Sequence, residues 1–457
     1  MSQRYVFPFG GDGAVEGKPD KSLLGGKGAG LAEMSQLGIP VPPGFTISTE
    51  ICRFYQQNDG NYPAGLEDEV AQNLARVERE HGKTFGNGKD PLLVSVRSGA
   101  PVSMPGMMDT ILNLGLNDEI IEEAIAAGAD SRFLCDCYRR LLSMYGDVVL
   151  KVPHSEFEKV LEETRDRQGV ETDAELSSDA LLEVISAYKA KIAEHGKPFP
   201  TDPKEQLWGA ITAVFESWDN RRAREYRRLQ GLSNDMGTAV NVQVMVFGNR
   251  GDDCATGVAF SRNPATGEKG IFGEYLINAQ GEDVVAGIRT PQSITPEAEN
   301  GGMSGQFAPA YRILEDVCRK LEKERRDMQD VEFTVDGGRL YMLQTRNGKR
   351  TGFAAVRIAV DMVDEGLIES SEAVLRVEPE QLSQLLAPVF DLDQKKEAID
   401  RGDRVAEGLP AGPGAASGRI ALSAERAAEM ATEGSVILVR AETSPEDIVG
   451  MHAAAGI

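Results

Sequence analysis

Disulfide-forming capacity is the first thing this 457-residue sequence lacks. Its five cysteines, Cys52, Cys135, Cys137, Cys254 and Cys318, are odd in number and scattered, which points away from a disulfide framework or a zinc site. Cys135-Asp136-Cys137 places one residue between thiols, not the two of a redox CxxC. The set reads as reduced thiols of a cytoplasmic protein. Long apolar runs are missing too. No stretch approaches the roughly 18 residues that would span a bilayer. The opening MSQRYVFPFG has neither the apolar core nor the small-residue cleavage site of a signal peptide. Basic excess is also absent. Lys plus Arg number 49 against 72 Asp plus Glu, a net charge of −23. That balance argues against sequence-independent binding to nucleic acid or an anionic membrane, while leaving room for a local basic pocket. Internal repeats and low-complexity tracts are not found, and His154 and His195 lie in polar sequence that assigns them no role.

What is present is a soluble-type composition, 41% hydrophobic and 26% charged, on a chain too long for one core. Two or more domains are expected. The most informative stretch is DVEFTVDGGRLYMLQTR, Asp330 to Arg346. Its alternating apolar residues and the Asp336-Gly337-Gly338 signal predict a β-hairpin. A turn of odd length centred on Gly338 sets Glu332 opposite Gln344 and Asp330 opposite Arg346. Phe333, Val335, Tyr341 and Leu343 then share the buried face. Two carboxylates, an amide oxygen and a guanidinium share the other. Such a face can hold Mg²⁺ together with phosphate oxygens, and an Arg beside it can grip a phosphoryl group. Taken alone, the hairpin reads first as an exposed pair of strands with cross-strand salt bridges, and the rest of the chain changes that.

Earlier in the chain, SLLGGKGAGLAEMSQLGI (residues 22–39) reads as a glycine-rich turn running into a short helix that Gly38 stops. Glycines ahead of a helix free backbone N–H groups for phosphate, and Lys27 adds a point charge. It is neither a Walker A loop nor a dinucleotide fingerprint, and in isolation it is also a flexible turn with a solvated lysine. PLLVSVRSGAPVSMPGMMDT (91–110) predicts a buried strand ending at Arg97, then a loop carrying Met104, Met107 and Met108. A charged residue at a strand end beside such a loop is a typical ligand contact, or else a surface ion pair. From about 117 to 232 the texture is helical. Its clearest helix holds Trp208, Ile211, Phe215 and Trp218 and continues into Arg221, Arg222, Arg224, Arg227 and Arg228, read as a solvated face. Val240, Val242, Val244 and Val246 alternate with polar residues as a strand. Arg262, Glu274, Asn278, Gln280, Glu282 and Asp283 fall near turns before the hairpin. After Arg350 the pattern is helical to about Val405. A Gly/Pro/Ala-rich entry at 408–422, a strand at Val436 to Val439 and a cap at Thr443 to Asp447 then begin a further domain, which ends too soon to close a core.

LLGGKGAGLAEM, LLVSVRSGAPVSMPGMMDTILNLGLN, GVAFSRNPATGEKGIFGEYLINAQGEDVVAG and QDVEFTVDGGRLYMLQTRNGKR, in this order, resemble the pyruvate, phosphate dikinase family over essentially the whole chain. The resemblance implies an α/β (α+β) architecture. An ATP-grasp nucleotide-binding domain would span 1–349 with a helical insertion at about 117–232. A helical linker would span 350–405, and the start of a swivelling phosphohistidine domain 406–457. It implies ATP as substrate, Mg²⁺ as cofactor, inorganic phosphate as partner and room for a monovalent cation in the full enzyme. Pyruvate or phosphoenolpyruvate would be engaged only through a further domain, the full-length enzyme would be a homodimer, and the location cytoplasmic. Residue by residue, Lys27, Arg97 and Arg346 match catalytic phosphate-binding positions. Asp330, Glu332 and Gln344 match the Mg²⁺-binding group. Glu274 and Glu282 match acidic residues of the nucleotide site. Gln243 to Val246, with Gln243 and Met245, match the strand that holds adenine. The family's GGMTSHAAVVAR-like carrier motif is absent, and His452 in MHAAAGI is not its histidine. The resemblance therefore implies a truncated dikinase that does not complete the reaction. Phosphoenolpyruvate synthases share the architecture but use water in place of phosphate, and SGAPVSMPGMMDTILNLGLN resembles the dikinases instead. A nucleotide-binding module that never had a carrier histidine is the third reading.

Overall fold

The computed structural model describes residues 4–13, 17–285, 290–295, 301–385, 390–406, 414–440 and 443–457. The chain divides into two compact units that interleave along the sequence. The first comprises Met1–Ala259, Gly273–Val317 and Val331–Arg346, and the second Phe260–Phe272, Cys318–Asp330 and Asn347–Ile457.

In the first unit, β1 (Val6–Phe9), β2 (Gly44–Ile47), β3 (Val94–Gly99), β4 (Thr110–Leu114) and β5 (Ala239–Val244) form one sheet in the order β1-β2-β5-β3-β4. Every neighbouring pair is antiparallel. The strand read from alternating valines is thus the central one. Its polar members are buried as completely as its valines: Asn241 accepts from the Thr46 hydroxyl at 2.8 Å, and the Gln243 amide donates to Pro42 O at 3.2 Å. A central strand covered on both faces can keep polar side chains only where each finds a partner. β3 runs two residues past the expected end, to Gly99.

Between β4 and β5 the chain is helical, as the sequence texture predicts: Asp118–Ala126, Ser131–Val148, His154–Gln168, Ser178–Glu194, Pro203–Ser217 and Arg221–Leu229. Side-chain caps start five of these six, with Asn117 accepting from Ile120 N, Asp130 from Phe133 N and Asn220 from Ala223 N, while Pro153 precedes the helix His154–Gln168 without one. The arginine run departs from the solvated face expected of it. Arg227 is fully buried, lies over the Trp218 ring at 3.9 Å, and donates to Trp218 O at 2.5 Å and Asn234 Oδ1 at 2.9 Å. Arg222 pairs with Asp109 and donates to Met107 O. The helix turns these two inward because the break at Asn220 re-aims it, while Arg228 stays exposed beside Glu225.

The second sheet has the order β10-β9-β6-β7-β8, from β6 (Ala255–Arg262), β7 (Lys269–Ile277), β8 (Gln292–Ser293), β9 (Gln329–Asp336) and β10 (Arg339–Asn347). The predicted hairpin exists, but its register differs. Its turn has two residues, Gly337 and Gly338, at φ +56° and +74°, the paired left-handed values of a type I′ turn. A two-residue turn sets Asp336 against Arg339 and flips each β10 side chain relative to an odd-length turn. Leu340 and Met342 therefore join Phe333 and Val335 in the core, and Tyr341 and Leu343 are half-buried. The alternation then changes phase. Leu343 and Gln344 are both half-buried, Thr345 is buried and Arg346 is half-buried. A one-residue bulge produces such a slip.

In the second unit, Met328, Ala354, Ile358, Met362 and Ile368 form a core beneath the helix Gly352–Asp364. Arg262 is buried there with its guanidinium on both Glu322 oxygens (2.8 and 3.0 Å) and on Glu365 (2.9 Å). Further on, β11 (Arg419–Ala421) and β12 (Val436–Leu438) pair in parallel across the helix Ala424–Ala431. Contrary to expectation, this short segment does close a small core, of Ala421, Ala427, Val436 and Leu438. A strand-helix-strand crossover buries one helix stripe with few residues. Part of the Gly/Pro/Ala-rich entry, 407–413, lies outside the described residues.

Candidate functional site

Lys27 is placed by glycine. The helix Lys21–Gln36 is capped by Asp20 and broken at Gly25, at φ +67° and ψ 170°. A Cβ there would stand 1.6 Å from Gly99 O, and one at Gly28 would stand 2.7 Å from Thr46 Oγ1. Only glycine allows both the backbone angle and this approach. Gly26 N–H consequently donates to Ala100 O at 2.8 Å, and the helix lies directly on the ends of β2, β3 and β5. The break falls inside the glycine-rich stretch, as the sequence suggests, but a helical turn precedes it.

Arg97 projects from β3 and donates to Glu332 Oε2 at 3.0 Å, with a second nitrogen 3.5 Å from Leu343 O. Both partners are largely shielded, at 15% and 29% side-chain exposure. Lys27 and Arg346 complete the cluster. Burial first, then the charges of Arg97 and Arg346, push the Lys27 ammonium down to about 7, with Glu332 opposing. Burial would raise the Glu332 carboxyl, but Arg97, Lys27 and Arg346 overcome it and hold it below the usual carboxylate range. Three cationic side chains thus act on one carboxylate, brought from four separate stretches of chain.

Arg97 and Glu332 also line a cleft of about 530 Å³ in the first unit. Its other walls include Gln243, Met245, Thr256, Gln280, Leu343 and Met108. Met245 N–H is bonded to Leu93 O at 2.9 Å just beyond the end of β5. The loop methionines divide: Met104 and Met107 are buried, and Met108 faces the cleft. The sequence singles out neither Thr256 nor Leu112, and Gln280 only as one of several polar residues near turns. They arrive because the sheet order brings β4, β6 and the β7–β8 connection to one cleft.

Other expected residues are not gathered there. Glu274 is exposed on β7 opposite Ser293 and is not in the cleft wall. The Glu282 side chain lies outside the described residues. Gln344 is half-buried on β10. Asp330, two residues before Glu332 in β9, is buried and belongs to the second unit. Among the described residues no group of three or more His, Cys, Asp or Glu side chains could hold a metal ion. None of their helices is long and apolar enough to cross a membrane.

A mixed helix-and-sheet unit with a largely apolar cleft, flanked by a shielded excess of cations, has the character of a nucleotide-binding domain. The comparison with known families is specific. The model of the pyruvate phosphate dikinase AMP/ATP-binding domain matches residues 21–74, 60–307 and 309–367, and the chain belongs to that family. It is 53% identical over 462 residues to the pyruvate, phosphate dikinase of Rhizobium meliloti, covering 99% of this chain and 51% of that protein. The Clostridium symbiosum enzyme of the same name is 53% identical over 440 residues, covering 96% and 49%. Pyruvate, phosphate dikinase 2 of Zea mays is 52% identical over 458 residues, covering 100% and 51%. The chain thus spans about half the length of these curated relatives. The synthase reading is not favoured by these relatives.

Proposed function

We propose that the cleft binds ATP and that this chain is the nucleotide-binding part of a pyruvate, phosphate dikinase, in an ATP-grasp arrangement. The observation that carries the proposal is the convergence of Lys27, Arg97 and Arg346 on Glu332 beside an apolar cleft, in a chain of net charge −23. A shielded cation excess attracts a small polyphosphate, while the acidic whole disfavours nucleic acid. The apolar walls around Met245 suit a purine, and Gln243 closes the cleft beneath it.

The donor chemistry fits Mg²⁺. Glu332 is held below the usual carboxylate range, and Gln344 on the paired strand offers an amide oxygen. Mg²⁺ takes one or two carboxylates and completes its shell with phosphate oxygens. When bound, Mg²⁺ would neutralise charge on the polyphosphate. Arg97 and Arg346 would orient the phosphates, and Lys27, recharged by an arriving anion, would hold the transferred group in place. Glu332 now restrains Arg97, and keeps that guanidinium aimed at the phosphate position before ATP arrives.

In the full reaction ATP, pyruvate and phosphate would give AMP, phosphoenolpyruvate and diphosphate through a carrier phosphohistidine. The carrier and the pyruvate site would lie on a swivelling domain and a further domain not represented by motifs in this sequence. β-labelled ATP with Mg²⁺, supplied to this chain and to one extended through the next domain, tests the reading. Acid-labile label on the extended protein alone, with diphosphate formed from added phosphate, is the expected result. Label independent of phosphate would indicate the synthase reaction. ATP binding without label on either chain would leave a binding module, and no ATP binding would remove the proposal.

A further inference from the structure

The apolar cleft holds one buried polar side chain whose hydrogen-bonding capacity the protein leaves unfilled. Gln280 is 4% exposed and lines the cleft with Gly248, Thr256 and Met245. Its Nε2 donates to Asn249 Oδ1 at 3.4 Å and lies 3.9 Å from the Cys137 sulfur. Its Oε1 is buried with no hydrogen-bond partner. A buried amide oxygen without a donor costs about 1–3 kcal/mol, and such atoms call for a specific account.

The backbone that carries this side chain is also held. Gln280 N–H donates to Asp283 Oδ2 at 2.9 Å, and Asp283 N–H returns a bond to Gln280 O at 3.0 Å. Asp283 is gripped by Arg140 Nη1 at 3.0 Å, and Arg140 Nε is bonded to the buried Asp136. That chain of charge-assisted bonds ties the Gln280 backbone to the helix Ser131–Val148. Meanwhile the backbone donors that border this end of the cleft are occupied. Val244 N–H is bonded to Pro43 O, Met245 N–H to Leu93 O and Phe247 N–H to Asp336. A buried acceptor left open on an anchored stretch of backbone, in a largely apolar cleft, is the arrangement expected of a ligand-reading contact.

We propose that Gln280 Oε1 accepts a hydrogen bond from the nucleoside portion of the bound nucleotide and so contributes to selection of that nucleoside. The donor is the exocyclic amine or a ribose hydroxyl, since an adenine nucleotide carries no other N–H or O–H away from its phosphates. This inference rests on the ATP reading of the cleft and names a contact within it.

The test measures binding with Mg²⁺ by calorimetry for the wild-type chain and Gln280→Met, which keeps length and removes the amide. The ligands are ATP, purine riboside triphosphate, 2′-deoxy-ATP, 3′-deoxy-ATP and inorganic tripolyphosphate. Gln280→Met should weaken ATP binding about 5- to 10-fold, the scale of one neutral hydrogen bond, and leave tripolyphosphate binding unchanged. In the wild type, one analogue should lose affinity by a similar factor, and the variant should no longer distinguish that analogue from ATP. Loss with purine riboside triphosphate assigns the amine, and loss with a deoxy analogue assigns the hydroxyl. The analogue series on the wild type decides the matter even if the variant fails to fold. Equal affinity of the wild type for all four nucleotides, or a variant that binds ATP within twofold, would overturn the contact. So would an equal loss for tripolyphosphate, which would mark a general defect. A wild type that binds tripolyphosphate but not ATP, or neither, would overturn the ATP reading together with this one.

Discussion

Two clusters of arginine and carboxylate in the first unit are built from the same side chains and do opposite things. Around the helix Ser131–Val148, Asp136 receives Arg139 at 2.8 Å and Arg140 at 3.1 Å, and Asp173 and Asp283 take further nitrogens of those arginines. Asp136 lies far below the usual carboxylate range. Burial opposes ionisation there, but Arg139, Arg140 and Arg132 outweigh it. Cation and carboxylate are matched nearly one to one. At the cleft Glu332 lies among Lys27, Arg97 and Arg346, and burial first, then the charge of Arg97, pushes the lysine down to about 7. A buried network closed on itself is structure, whereas buried cations beside a cavity are a place for an anion.

The largest effect that separates the two comes from Asp136→Ala. It takes from Arg139 and Arg140 the carboxylate they share and leaves them Asp173 and Asp283, and breaking a buried pair costs about 3–5 kcal/mol. Denaturant unfolding should show that loss. A change below about 1 kcal/mol would mean the network is not structural. Gly25→Ala comes next. A residue other than glycine in this backbone region costs about 1–3 kcal/mol before the clash with Gly99 O is added. Stability should fall by at least that much, and MgATP affinity should fall with it because Lys27 moves. Normal affinity in a destabilised Gly25→Ala protein would detach the glycine break from the site.

Arg346→Ala should invert the pattern of Asp136→Ala. Arg346 is half-buried at the end of β10 and its loss opens no core cavity, so unfolding should shift by less than about 1 kcal/mol. MgATP binding should weaken about 10- to 100-fold, as expected for losing a hydrogen bond to a charged phosphate worth about 1.5–3 kcal/mol. Calorimetry and unfolding on the same preparation check both halves. A stability loss as large as that of Asp136→Ala would erase the distinction between the clusters.

Sequence alone made half of this contrast legible. Period-2 valines located β5, and alternation located the β9–β10 pair, because both signals are local. The hairpin register was misread because Asp336-Gly337-Gly338 fits turns of two or three residues equally well, and one residue of difference flips a strand. Tyr341 and Leu343 therefore changed places with Leu340 and Met342. Arg227 was unreadable for another reason: its burial depends on Trp218 and Asn234, on either side of a break the composition does not announce. The family resemblance alone assigns Glu274 to the nucleotide site, and it stands exposed on β7 opposite Ser293. Gln280 is placed in the cleft by sheet order and by Asp283, neither of which a lone sequence displays.

The finest test of the contrast is a fraction of a proton. Lys27 has a folded-state value of about 7, against an ordinary 10.5. In the free protein the unfolded chain binds more protons between those values, so Lys27 opposes folding fully below pH 7 and ceases to do so as pH rises toward 10.5. A bound polyphosphate supplies the missing negative charge and raises the value again. Nucleotide binding should then take up little proton through Lys27 at pH 6, where the ammonium is already charged, and close to one proton near pH 8.5. Affinity should decline as pH rises above about 7, by at most tenfold per unit. Calorimetry in two buffers of different ionisation enthalpy reads the uptake, and Lys27→Met should remove its pH-dependent part while leaving that of ATP itself. The Asp136 network offers no equivalent, because its carboxylate stays ionised throughout this range with or without ligand. Proton uptake that survives in Lys27→Met would assign the linkage to another group and leave the cation excess at the cleft without this signature.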